Sequence, residues 1–245
     1  MKPHRDDTGF VSRLSFRNRR SLLRLPAMAI ALLLLLSFGQ NPAHAAASRA
    51  SEASTAHVYL LRGVLNIFSL GLDDIAAQLQ AQGIPVTVAN FVSWSSLADD
   101  AAAEYATGQV KTIILVGHSS GATVLPDMVA KLDRLGVPVK LAIGLDSVFR
   151  TGLTGRVGRY INFYIANGAG TPVEKRMGFQ GSLENVDVEN VPGVGHLSIE
   201  KNQIMQQKVI SAIDAVVFGR SVPASGAQKP RPGRHGTARA AKLRH

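Results

Sequence analysis

The apolar positions of this chain change period as they go, and each change marks an element. Residues 57–61 form a short apolar run that stops at Arg62-Gly63, after which Leu72, Ile75, Ala76 and Leu79 recur at helical spacing as far as Gly83. Pro85 opens a second strand with Val86, Val88 and Phe91, and an alanine-rich helix over 97–105 follows, with Asp99, Asp100 and Glu104 on its solvated side. A third strand over 112–116 leads to a helix over 122–135, in which Pro126 is compatible only with a place near the first turn. Residues 139–145 are apolar except for Lys140 and end at Asp146. A fifth strand is expected over 159–166 and, after a polar Gly-rich loop, a short sixth over 186–191. A closing helix over 198–218 would turn Ile199, Ile204, Val209, Ile213 and Val217 inward. Strands alternating with helices predict an α/β fold, a three-layer sandwich around a mostly parallel central sheet of about six strands.

The third strand breaks into Gly117-His118-Ser119-Ser120-Gly121, a G-x-S-x-G run between a strand and a helix. Such a turn holds a serine hydroxyl clear of the backbone, and Gly117 and Gly121 form the elbow where side chains would collide. A serine nucleophile needs a base, and the chain has seven histidines. His4 and His44 lie in the amino-terminal segment and His235 and His245 in the basic tail. His57 opens the first strand at the wrong edge, and the ring of His118, bonded next to Ser119, should point away from the hydroxyl. His196 remains, on a glycine-flanked loop before the last helix. The carboxylate that orients it is expected at Asp146, directly at a strand end, with Asp187 and Glu189 as competitors. Ser119, Asp146 and His196 all fall at the carboxyl edge of the sheet, where open α/β sheets bind ligands. The amides of Ser120 and Val64 are the expected oxyanion donors, with Gly63 permitting close approach. Arg62 is either a solvated loop residue or a positioning residue. Arg150, Arg156 and Arg159 are expected near the mouth of the site, as solvated charges or as attractors of an anionic substrate.

Charge changes the picture only once it is located. The formal net charge is +10, from 27 Lys/Arg and 17 Asp/Glu. Residues 1–45 hold seven of the bases and two of the acids, and residues 221–245 hold six bases and no acid, which leaves the middle at 14 basic against 15 acidic. A nucleic-acid partner is therefore not expected. Residues 1–45 read as an export signal: a basic stretch ending at Arg24, the apolar run 27–38, then Ala43-His44-Ala45. The secretory and twin-arginine routes both remain open, and the domain is expected in the periplasm or outside the cell. Residues 46–55 read as a short linker, 56–220 as the domain, and 221–245 as a disordered basic tail, a solvated extension or an arm touching an anionic surface. With no cysteine, the domain relies on its core alone.

The order Ser119, Asp146, His196, the elbow Gly117 to Gly121 and the loop Leu60-Leu61-Arg62-Gly63 resemble an α/β-hydrolase over roughly residues 56–218. Phe68-Ser69-Leu70-Gly71 and Gly195-His196-Leu197-Ser198-Ile199 make the chain more specifically similar to small exported bacterial hydrolases of the lipase and thioesterase type. Arg62-Gly63 stands where many members carry His-Gly. The resemblance implies hydrolysis of an ester or thioester, small or lipid, through an acyl-serine intermediate, with no metal or cofactor. The alternative is a catalytically inert hydrolase-fold binding or scaffold protein of the cell envelope. The acyl chain, the choice between hydrolase and acyltransferase, and the oligomeric state stay open. Residues 147–158 and 168–183 are the sizeable insertions at the active edge, so an open or lightly covered pocket is expected.

Overall fold

The computed structural model describes residues 42–64 and 69–219. Most of the expected export signal and the whole basic tail fall on residues 1–41 and 220–245, outside the described residues. By its contacts the chain divides into two units, Met1–Ala45 and Ala46–His245, and every strand belongs to the second.

Six strands make one sheet: β1 (Ala56–Arg62), β2 (Val86–Asn90), β3 (Thr112–His118), β4 (Val139–Leu145), β6 (Arg156–Tyr164) and β8 (Gln180–Asp187), in the order β2-β1-β3-β4-β6-β8. All neighbouring pairs are parallel, so every carboxyl end lies on one edge. Helix α1 (Pro42–Ser54) precedes β1, and three crossovers are helical: α2 (Gly71–Gln80) joins β1 to β2, α3 (Trp94–Ala106) joins β2 to β3 and α4 (Ser120–Arg134) joins β3 to β4. Among the described residues no helix lies between β4 and β6 or between β6 and β8, and α5 (Gln203–Val217) follows β8.

Both faces of the sheet are covered, which is why the central strands read as unbroken apolar runs. Val58, Leu60, Ile114, Val116, Leu141 and Ile143 face one core with Leu72 and Ile75 of α2 and Val209 and Ile213 of α5. Tyr59, Leu61, Ile113, Leu115 and Ala142 face the other, with Leu97 and Ala98 of α3 and Leu125 and Val129 of α4. This is the expected three-layer α/β sandwich.

Several boundaries differ from the sequence reading. The stretch expected as a linker is helical to Ser54, with Ala53 fully buried. Pro126 sits inside α4 beyond its first turn, where its missing N–H forfeits the bond to the carbonyl of Ala122. The last strand is β8, not 186–191, because an edge strand with mostly exposed side chains leaves no apolar signature. The last helix begins at Gln203, after a turn over 198–201, and Ile204 is 47% exposed whereas Met205 and Ile210 are buried. The insertions at the active edge form a small parallel pair, β5 (Gly152–Leu153) with β7 (Glu174–Lys175). It lies against α4, where a side chain at Gly155 would come within 2.9 Å of Ala130.

Candidate active site

Register places the candidate residues side by side. His118 and Leu145 end the adjacent strands β3 and β4 as partners, so Ser119 and Asp146 leave the sheet at the same level. The N–H of Ser119 donates to Leu145 O at 2.9 Å, and that of Asp146 to Phe163 O at 2.8 Å. Both residues have positive φ, 57° for Ser119 and 52° for Asp146. The bend at Ser119 needs the glycines around it. A side chain at Gly117 would come within 2.4 Å of the backbone of Gly121, and one at Gly121 within 2.0 Å of Leu61 O.

The three predicted side chains meet. The Ser119 hydroxyl lies 3.1 Å from His196 Nε2, and His196 Nδ1 lies 2.6 Å from Asp146 Oδ2. Asp146 is fully buried, and its other oxygen accepts the N–H of Ile165 at 3.0 Å. A carboxylate so held accepts from Nδ1–H and leaves Nε2 as the acceptor for the serine proton. Gly170 completes this support, because a side chain there would come within 1.8 Å of Asp146 Oδ1. The loop carrying His196 is pinned by Asn202, whose side chain donates to Pro192 O at 2.9 Å and accepts from Ile204 N at 3.0 Å.

The competing acids are engaged elsewhere. Asp187 accepts the N–H groups of Ala166 and Glu189, and Glu189 accepts from Asn167. The arginines expected at the mouth are not there as free charges. Arg150 pairs with Glu174 of β7, Arg156 with Asp133, and Arg159 with both oxygens of Glu184; Arg156 and Arg159 lie on the amino half of β6, away from the active edge. Arg62 pairs with Asp73 in the first turn of α2, which ties the end of β1 to the start of that helix. Glu104 is not merely solvated: it lies 2.6 Å from His57 Nδ1 and accepts from the Tyr59 hydroxyl at 2.9 Å.

The cavity over Ser119 measures about 170 Å³ and is lined by Gly63, Val64, Ser69, His118, Ser119, His196 and Leu197. Ser120 is the first residue of α4, so its N–H has no partner within the helix. Gly63 donates its N–H to Ser69 Oγ at 3.1 Å, which leaves Val64 as the next amide of that loop. A larger open groove of about 750 Å³ lies between β6, β8 and α5, lined by Arg159, Glu184, Lys208 and Ser211 beside apolar side chains such as Ile161 and Phe163. Among the described residues no group of three His, Asp or Glu side chains is arranged to hold a metal ion.

Three residues around the site, Ser69, His118 and Glu200, have parts that the sequence reading did not assign. His118 is buried, its Nδ1 2.8 Å from Ser69 Oγ and its Nε2 2.8 Å from the His196 carbonyl, so it turns away from the Ser119 hydroxyl as expected. Desolvation in this setting lowers its pKa to about 4, which keeps the ring neutral. Glu200 is also fully buried, 3.7 Å from His118 Nε2 and 3.5 Å from Lys201 Nζ, and burial raises its pKa. The sequence offered a hint only for Ser69, a polar residue between Phe68 and Leu70.

Comparison with protein-family models, with curated proteins and with solved structures finds no match to this chain.

Proposed function

We propose that the protein is a serine hydrolase that cleaves an ester or thioester through an acyl intermediate on Ser119. The observation that carries this reading is the unbroken chain from the Ser119 hydroxyl through His196 to the buried carboxylate of Asp146. His196 Nε2 takes the hydroxyl proton as Ser119 Oγ attacks the carbonyl carbon. The oxyanion then faces the amides of Ser120 and Val64. Collapse breaks the bond to the leaving group, which receives the proton from Nε2, and water repeats the attack on the acyl-serine. Asp146 holds His196 in the tautomer this requires and offsets the charge of the imidazolium.

Val64 and Leu197, 52% and 54% exposed, give the cavity apolar walls. No charged side chain is among the described lining residues. Both facts support an uncharged hydrocarbon group next to the scissile bond. The basic and apolar stretches of residues 1–45 support export to the periplasm or beyond.

A panel of activated short-chain and medium-chain esters and thioesters tests the reading. The wild type is expected to turn over at least one of them, and Ser119→Ala to lose about a thousandfold or more in kcat while keeping the wild-type circular dichroism spectrum. Equal turnover by the two proteins refutes the assignment. A wild type inert towards every substrate and acceptor favours the binding or scaffold alternative.

A further inference from the structure

We propose that His118, which takes no part in the proton transfer, is a positioning residue that fixes the oxyanion loop and the His196 loop relative to each other through Ser69; the role rests on the hydrolase reading above. The direction of each hydrogen bond is forced. A carbonyl oxygen can only accept, so His118 Nε2 carries the hydrogen and donates to His196 O across 2.8 Å. In a neutral ring Nδ1 is then an acceptor, and the Ser69 hydroxyl donates to it across 2.8 Å. The same hydroxyl oxygen accepts the Gly63 N–H at 3.1 Å.

One continuous path therefore runs from Gly63, beside the expected oxyanion donor Val64, through Ser69 and His118 to the backbone of His196. It passes directly behind Ser119, because His118 is its neighbour in the chain. Ser69 and His118 are each 1% exposed, so little water competes for these bonds. Space is equally restricted. A side chain at Gly63 would come within 2.9 Å of Ser119 Cβ, so the close approach of this backbone to the nucleophile requires glycine. The path holds the gap between base and oxyanion donors open at a fixed width, a distance that matters to the transition state more than to substrate binding.

Steady-state kinetics of Ser69→Ala, Ser69→Thr, His118→Gln and the Ser69→Ala/His118→Gln double variant test this on the full chain. Ser69→Ala is expected to lower kcat by about 10- to 100-fold with little change in KM, and Ser69→Thr, which keeps the hydroxyl, to recover most of the loss. Glutamine at 118 that turns its amide N–H towards His196 O leaves the Nδ1 position opposite Ser69 without an acceptor, so adding Ser69→Ala to it should cost no more. Full kcat in Ser69→Ala, or losses that multiply in the double variant, overturns the proposal. Nitrogen NMR of the wild-type imidazoles gives a readout that survives any folding defect: His118 is expected as the Nε2–H tautomer at neutral pH, and the opposite tautomer overturns the path. An active wild type with an equally active Ser69→Ala removes the positioning role alone. A wild type without activity on any ester, and unreactive towards a fluorophosphonate, removes the hydrolase reading and this role together.

Discussion

Ser119 holds φ 57° and ψ −122°, a conformation that a residue with a side chain adopts only when its surroundings impose it. Strain of this kind costs on the order of 1–3 kcal/mol. Ser119→Gly is accordingly expected to raise the urea-unfolding free energy by about 1 kcal/mol while abolishing ester turnover. A variant that is both inactive and less stable would mean that the elbow carries no strain. His118 and Glu200 act on stability in opposite pH windows. With a folded pKa near 4 against the ordinary 6.5, His118 contributes stability above pH 6.5 that is lost as pH falls through 4, about 3 kcal/mol in all. For Glu200 the folded pKa is raised, so its contribution is present below the ordinary carboxylate value and is lost as pH rises. Glu200→Gln should therefore raise Tm more at pH 8 than at pH 4, and the reverse ranking would contradict the buried carboxyl. Ser119 and His196 were legible in the sequence because a turn motif and the elimination of six other histidines each singled out one residue, and Asp146 was favoured by its strand end with Asp187 and Glu189 left as competitors. Ile165, Gly170 and Ser69 were not. Ile165 and Gly170 meet Asp146, and Ser69 meets His118 and Gly63, across gaps that exist only after folding, and nothing about a glycine in a polar loop signals that its missing side chain makes room for a carboxylate.

At the level of elements, the site depends on two contacts that fix where helices start. The side chain of Asn202 accepts from the N–H groups of Ile204 and Met205 and donates to Pro192 O. It both caps α5 and anchors the loop that carries His196. Asn202→Ala is expected to cost about 1–2 kcal/mol in urea unfolding and to lower kcat as well; a loss of stability with kcat intact would separate the cap from the site. At the other end, Gly121 brings α4 against β1 so closely that Gly121→Ala forces backbone to move, since its side chain would come within 2.0 Å of Leu61 O. Overpacking of this kind costs about 1–3 kcal/mol and often more. The interior strands were readable from sequence because burial on both faces leaves a run of apolar residues, as in β3 and β4. Edge strand β8 leaves no apolar pattern because its side chains are largely exposed and its pairing with β6 is made by backbone. The two-residue strands β5 and β7 are too short for any periodicity. The start of α5 is not readable from periodicity because the turn over 198–201 also buries an apolar residue, Ile199.

For the molecule as a whole, the sheet, both cores and the candidate site lie within the unit that begins at Ala46. Residues 43–52 are exposed, and burial starts at Ala53. A polypeptide beginning at Ala46 is expected to fold, with a Tm close to that of one beginning at Pro42; failure to fold would mean that earlier residues contribute to the core. The near balance of 14 bases and 15 acids between residues 46 and 220 puts no large field around the site, so kcat/KM on a neutral ester should change little with salt. The claim on which the rest depends is that Ser119 is a nucleophile activated by His196. Intact-mass and peptide mass spectrometry after fluorophosphonate treatment reads this directly. The account predicts one adduct, on Ser119, which is lost in His196→Ala at an unchanged fold. No adduct on the folded wild type, or an adduct on Ser69 in place of Ser119, would contradict it.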